Sequence, residues 1–349
     1  MNKQVRKAYD RETVIDVIER RNFECSPIFI MKAWGNGTYE KYGKALDDIA
    51  SRFPDDICAC WYTVPGTTHS TLSNPEYRWG YKESYDEAET HSISEATVLL
   101  DDWKDLDKLL DVFPDPYEEG NFIPVENAVS TAGNRYKLGC FWNGFHERFW
   151  MIRGMENLMC DYYDNMPELK RMGNQLLAYF KVIIERYAKL GFDGIFTSDD
   201  LGHQSGPMMN PAIFRELFLP LYKELIGLVH SKGMHFWFHS CGDNSMLMPD
   251  LIEAGIDVFH PVQKGCMDLK KTIDDFGDQI SFMYGIDVQH LLPEGSVADV
   301  QNEINMIKTL FRSKKAGLLL SAANGIMPDT PIENIKAMLE TSYSESYIL

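Results

Sequence analysis

The chain has 349 residues, 44% hydrophobic and 25% charged, enough to bury a large globular core. Its 34 lysines and arginines stand against 52 aspartates and glutamates, a net charge of −18. That field repels nucleic acid and anionic lipid, so neither is expected as a partner. No apolar run of about 18 residues occurs, and the first 25 residues lack the apolar stretch of a signal peptide, so no membrane span and a cytoplasmic location are expected. Seven cysteines, an odd number spread over the chain, point to reduced thiols rather than a disulfide framework.

Short β-branched or aromatic runs recur along the chain, most of them followed by a longer segment of helical apolar spacing. Strands are predicted at 27–31 (PIFIM), 56–63 (DICACWYT), 136–142 (YKLGCFW), 193–198 (DGIFTS), 235–240 (HFWFHS), 257–262 (DVFHPV), 280–285 (ISFMYG) and 317–322 (GLLLSA). Cys58 and Cys60, two apart in the second of these, read as packed strand residues. The clearest helix is predicted over 167–191, with Leu176, Leu177, Phe180, Ile183, Ile184, Tyr187 and Leu190 on one stripe and Gly191 as its stop. Others are predicted at NPAIFRELFLPLYKELIGLVHSKG, at SVADVQNEINMIKTLF and at TPIENIKAMLETSY, where Thr330 and Glu333 form a capping-box pattern around Pro331.

Eight alternating strand and helix units predict an α/β fold, a single (β/α)8 TIM barrel over residues 1–349. The open doubly wound sheet is the competing architecture, but no GxGxxG follows the first strand. The stretch 64–135, between the second and third strands, is too long for a simple crossover and is expected to lie over the barrel mouth.

In such a barrel the active site lies at the carboxyl ends of the strands. The strand at 193–198 is followed by Asp199, Asp200 and then His203 and Gln204; the strand at 235–240 brings His239 and Cys241; the strand at 257–262 brings His260 and then Gln263. Asp287 and Asn324 follow the last two strands. His239 and Cys241 share one side of their strand by the period of two. They read as a metal pair that suits zinc, as a catalytic pair without metal, or as core residues. Asp199 and Asp200 read as a general base, a substrate-orienting carboxylate or a further ligand, against a simple loop role. Phe141, Trp142, Phe145, Phe149 and Trp150, with Trp34, read mostly as core and secondarily as an apolar pocket lining. No G-x-S-x-G, P-loop or HExxH pattern occurs.

The stretch GFDGIFTSDDLGHQSGPMMNPAIFRELFLPLYKELIGLVHSKGMHFWFHSCGD, with GIDVQHLLPEGSVADV, MPDTPIENIKAM and GFHERFWMIRGMENLM, resembles the uroporphyrinogen decarboxylase superfamily and in particular its corrinoid-dependent methyltransferase branch. The resemblance covers most of the chain from about residue 25 and implies the same barrel. It also implies zinc held by His239 and Cys241, a methyl group passing to or from a corrinoid carried by a separate protein, and a small O- or N-methyl substrate. The family's later zinc-binding cysteine is missing here, and Asn324 stands in the matching place. His260 is the expected replacement ligand, with Asp199 as the other choice. Asp199 and Asp200 are the expected catalytic acids, and Trp34, Gln204, Gln263, Asp287 and Asn324 the expected substrate contacts. True decarboxylases of the superfamily carry an arginine-rich RQAGRY where this chain has MKAWGNGTY, which argues against a polycarboxylate substrate. A metal-free decarboxylase or lyase is the alternative enzyme, a non-catalytic binding protein stands third, and a homodimer is the expected assembly.

Overall fold

The computed structural model describes residues 6–30, 34–62 and 98–344. Seven strands form one parallel sheet: β1 (Ile57–Trp61), β2 (Tyr136–Cys140), β3 (Gly194–Ser198), β6 (His235–His239), β7 (Val258–His260), β8 (Ser281–Ile286) and β9 (Leu318–Ala322), paired in that order. A separate antiparallel pair, β4 (Gly202–His203) and β5 (Gly206–Pro207), sits in the loop after β3. The sheet is curled and its crossovers are helical, so the fold is α/β, with seven of the eight expected strands present as strands.

The exception is the run at 27–31. Ile28 makes a single parallel bridge to Leu320, Leu320 N–H donates to Pro27 O and Phe29 N–H to Leu320 O, each at 2.9 Å. On the other side the Asp56 N–H donates to Ile28 O at 2.9 Å. The segment therefore bridges the two edges of the curled sheet without becoming a strand. Side chains have taken its donors: Ile28 N–H goes to the Asp56 carboxylate (2.7 Å) and Ile30 N–H to Asp55 (3.0 Å), leaving too few for a regular ladder.

The period of two sorts each strand between two cores. Ile57, Tyr136, Leu138, Cys140, Phe196, Trp237, Val258, Met283 and Leu319 pack inside the curl with Phe29. Their strand neighbours, including Cys58, Cys60, Ile195, Phe236, Phe238, Phe259 and Phe282, pack outward against the helices. Burial on both faces is why these strands read as nearly continuous apolar runs.

The helix expected at 167–191 is Met166–Lys189, and Gly191 follows it with φ 72°. The segment from 210 does not run as one helix: Pro211–Ile213 leads into a π turn at Phe214–Phe218 and then Leu219–Ser231. Pro220 has no N–H to give to the preceding turn, which accounts for the widened register. The last helix, Ile332–Ser342, starts one residue later than the Thr330 pattern predicts. Pro331 occupies the cap position, and Thr330 Oγ1 is buried without a partner. The capping box forms instead at Ser296 and Asp299, at the start of Val297–Lys314.

Of the 64–135 stretch, residues 64–97 lie outside the described residues. Its later part is helical, with Leu106–Leu110 and Ile123–Ser130. The second of these packs on β1 from outside, where Cys58 Sγ lies 3.9 Å from Ala128 O, as an ordinary crossover helix would. Among the described residues no helix is long and apolar enough to cross a membrane.

Candidate metal centre at the carboxyl ends of the strands

The inner-facing positions of the strands continue upward into a polar layer. His239 is the last residue of β6 and lies in register between Ser198 of β3 and His260 of β7. Beneath it are Phe196 and Trp237, both fully buried. Beside it stands Trp142, two residues past the inward Cys140, with its ring 5.2 Å from the His239 ring.

Two loops meet here backbone to backbone. A Cβ on Gly242 (φ 82°) would lie 2.3 Å from Gly202 C, and Asp243 N–H donates to His203 O at 2.7 Å. Only glycine permits that approach and that φ. The contact sets Cys241 against Asp200, whose Oδ1 accepts the Cys241 N–H at 2.8 Å. His239 Nε2 is 3.4 Å from Cys241 Sγ and 3.5 Å from Asp200 Oδ1. Asp200, His239 and Cys241 thus offer one nitrogen, one sulfur and one oxygen within 4.8 Å of one another. A tetrahedral zinc with ordinary bond lengths has ligand-to-ligand edges of about 3.3–3.6 Å, which these separations match.

His260 does not join that set. Its Nδ1 is 2.6 Å from His239 Nδ1, and its Nε2 is 3.3 Å from Ala322 O. The carbonyl can only accept, so His260 Nε2 carries a proton, His260 Nδ1 accepts, and His239 Nδ1–H donates. That chain leaves the lone pair of His239 Nε2 facing Cys241 and Asp200. Burial pushes the pKa of both rings down, with His239 a further cause at His260, so both are neutral at pH 7. His260 therefore orients the His239 ring, and Asp200, not His260, lies where a third ligand could come from. The Cys241 thiol, pushed up by burial and by Asp200, becomes a thiolate only beside a cation.

Asp199 turns away from the layer. Its carboxylate is fully buried and accepts the N–H groups of His146 (2.9 Å) and Glu147 (2.7 Å) and the Tyr222 hydroxyl. It caps the helix Phe145–Arg153, and burial pushes it up to about 6. A carboxylate so engaged is a fastener, not a base at the rim. His146 completes the clasp, its Nδ1 lying 3.0 Å from Asp200 O.

Two rim residues escaped the sequence reading. Glu147 is buried, accepts a 2.5 Å bond from Ser198 Oγ, and is pushed up to about 8 by burial and then by Asp200 and Asp199. Its signal was its place in GFHERFW, directly after β2, where the aromatic residues drew the reading toward core. Trp61, the last residue of β1, is 41% exposed and 5.4 Å from Trp142, ring to ring.

The expected substrate contacts scatter. Gln263 Oε1 accepts Gly242 N–H at 2.7 Å and so props the Cys241 loop. Asp287 accepts the N–H groups of Gln289, His290 and Leu291 at 2.8–3.3 Å, the turn role. Asn324 is exposed and folds back on Gly325 N–H at 2.8 Å. Gln204 is exposed on the β4–β5 turn, and Trp34 is half-buried against the outer core, bridged to Ile326. A groove of about 670 Å³ opens among the outer helices, lined by Lys181, Arg186 and Glu224, and contains none of the rim residues.

A sequence profile of the uroporphyrinogen decarboxylase (URO-D) family matches residues 102–344. The methylated-thiol–coenzyme M methyltransferase of Methanosarcina mazei is 26% identical over 240 residues, covering 64% of this chain and 59% of that relative. A solved structure described as a methyltransferase from Methanosarcina mazei superposes with a TM-score of 0.55 at 18% identity, over 71% of each chain, and shares the fold. The chain belongs to the uroporphyrinogen decarboxylase (URO-D) family of enzymes.

Proposed function

We propose that the chain is a methyltransferase that moves a methyl group between a small O- or N-methyl substrate and a corrinoid carried by a separate protein, with zinc held by Asp200, His239 and Cys241. The observation that carries this reading is the nitrogen, sulfur and oxygen set at the carboxyl end of β6, whose 3.4 and 3.5 Å separations suit a tetrahedral ion. The methyltransferase named among the relatives supports the choice of reaction. We read the scaffold as one (β/α)8 barrel domain, the segment 27–30 standing for its first strand.

A zinc ion bound there supplies a Lewis acid for the heteroatom of the methyl donor. The chain's own groups do the rest. His260 holds the His239 ring through Nδ1, and the clasp of Asp199 and His146 holds the backbone of Asp200. Glu147, pushed up to about 8, keeps its proton at neutral pH and can give it from Oε to a departing oxygen or nitrogen. Asp199, fully engaged, takes no part in proton transfer. Decarboxylation of a polycarboxylate fits less well, because the chain has MKAWGNGTY where the decarboxylases of the superfamily carry the arginine-rich RQAGRY.

The test is metal analysis together with methyl transfer. Protein purified from zinc-supplemented cells carries close to one equivalent of zinc, and His239→Ala carries less than about a tenth. Wild type methylates free cob(I)alamin from at least one O- or N-methyl donor, followed by absorbance. A zinc content equally low in both proteins would sink the metal reading, and activity confined to a thiol acceptor would reverse the direction of transfer.

A further inference from the structure

Strand pairing stops just before Cys241, so something other than the ladder holds the residue that carries the thiol. Ser240 N–H makes the last bond toward β7, to His260 O at 3.0 Å. Past it the chain turns: Cys241 N–H goes to Asp200 Oδ1, and the carbonyls of Ser240, Cys241 and Gly242 all face the amide of Asn244, whose Nδ2 lies 3.1, 3.0 and 3.3 Å from them. Asn244 is fully buried. Successive carbonyls aimed at one interior point need a donor there, and the two hydrogens of this amide are shared among them.

The same asparagine reaches the other loop through a buried serine. Ser240 Oγ accepts Leu201 N–H at 2.9 Å and donates to Asn244 Oδ1 at 2.9 Å. An N–H can only donate, so the direction of the relay is fixed: Leu201 to Ser240, Ser240 to Asn244, Asn244 to the Cys241 loop. Leu201 directly follows Asp200 and Ser240 directly precedes Cys241, so the relay joins the neighbours of two of the three metal-site residues. Beside it the loops are already as close as backbone allows, since a Cβ on Gly202 would lie 2.8 Å from Cys241 O. Contact at the glycines stops the loops from approaching further, and the relay stops them from parting.

We infer that Ser240 and Asn244 act as one positioning unit, which holds the Cys241 loop at a fixed distance from the Asp200 loop and so sets how tightly the site grips its metal. This inference rests on the zinc reading above and gives a role to two residues outside the ligand set.

The test is zinc affinity of the full chain, measured by competition with a chromophoric chelator well below the melting temperature. Ser240→Ala and Asn244→Ala should each weaken zinc binding by about 10–100-fold, the usual cost of losing a group that orients a ligand. Because they act as one unit, the double variant should stay within about threefold of the weaker single. Cobalt(II) loaded in place of zinc should show a thiolate-to-metal charge-transfer band in wild type and a weakened one in both variants. Asn334→Ala is the control for plain destabilisation: this buried amide bonds Leu292 O and Gly295 O, outside both loops, and its loss should lower the melting temperature while zinc affinity stays within about twofold. If Asn244→Ala fails to fold, Ser240→Ala, which removes one hydroxyl, decides the matter. Zinc affinity within about twofold of wild type in Ser240→Ala, losses that multiply in the double variant, or an equal loss in Asn334→Ala would each overturn the inference. The two readings fail separately. A wild type that takes up no zinc sinks the zinc reading and this inference with it, whereas tight zinc binding that the variants share sinks the inference alone.

Discussion

The two ends of the same sheet use the same residue type in opposite ways. At the amino ends, Asp56, Asp193 and Asp257 each stand just before a strand, and each has both a basic side chain and a backbone donor. Asp56 takes Arg6 in a bidentate pair at 2.6 and 2.7 Å together with Tyr9 N–H. Asp193 takes Arg11 and Lys137 N–H, and Asp257 takes His230 and Phe236 N–H. At the carboxyl ends, Asp199, Asp200 and Glu147 lie close together, and Glu147 is driven up to about 8, first by burial and then by Asp200 and Asp199. Carboxylates with local partners stabilise a fold. Carboxylates left facing each other are stable only with a proton or an external cation, which is the arrangement a metal or cationic ligand can exploit.

The largest expected effect breaks the structural end. Asp56 is fully buried and Arg6 nearly so, and removing one member of a buried pair costs about 3–5 kcal/mol. Asp56→Ala should therefore lower the urea-unfolding free energy by that amount, and a loss below about 1 kcal/mol would show that the amino-end carboxylates do not carry the closure of the curl. The sharper contrast is within one dipeptide. Asp199→Asn should lower stability by about 1–3 kcal/mol, the cost of disturbing buried hydrogen bonds, and leave zinc content intact. Asp200→Asn should do the reverse, with stability within about 1 kcal/mol of wild type and zinc lost. Both measured on the same preparations, identical behaviour of the two variants would erase the distinction between fastener and ligand.

The smallest effect is a slope. The Glu147 pKa lies above its ordinary 4.5 in the folded chain, so its contribution to stability is full below pH 4.5 and is lost as pH rises through about 8. In metal-free protein, Glu147→Gln should flatten the fall of stability across that window by at most ~1.4 kcal/mol per pH unit. Parallel stability curves for the two proteins would mean that Glu147 ionises normally and cannot hold a proton for the departing group.

Much of this was legible in the chain. Seven strands follow directly from apolar runs with burial on both faces, and the His239–Cys241 pair follows from a period of two at a strand end. The run at 27–31 misled because its composition is that of a strand, while the donors that decide its state are taken by Asp55 and Asp56, 25 and 28 residues away. For His260 the strand and side were legible, but its ring partners, His239 Nδ1 and Ala322 O on a distant strand, were not.

Sequence by itself determined the alternation of strands and helices, the side on which each strand residue lies, and the end of the sheet where the polar residues gather, because those depend on local periodicity. Tertiary structure alone decided which carboxylate of Asp199 and Asp200 faces His239, that Glu147 and Trp61 belong to the rim, and that Asn324 folds back on Gly325 N–H. The reason is physical: adjacent residues at the end of a strand point to opposite sides, and which side meets a helix terminus or a neighbouring glycine loop depends on contacts between segments far apart in the chain.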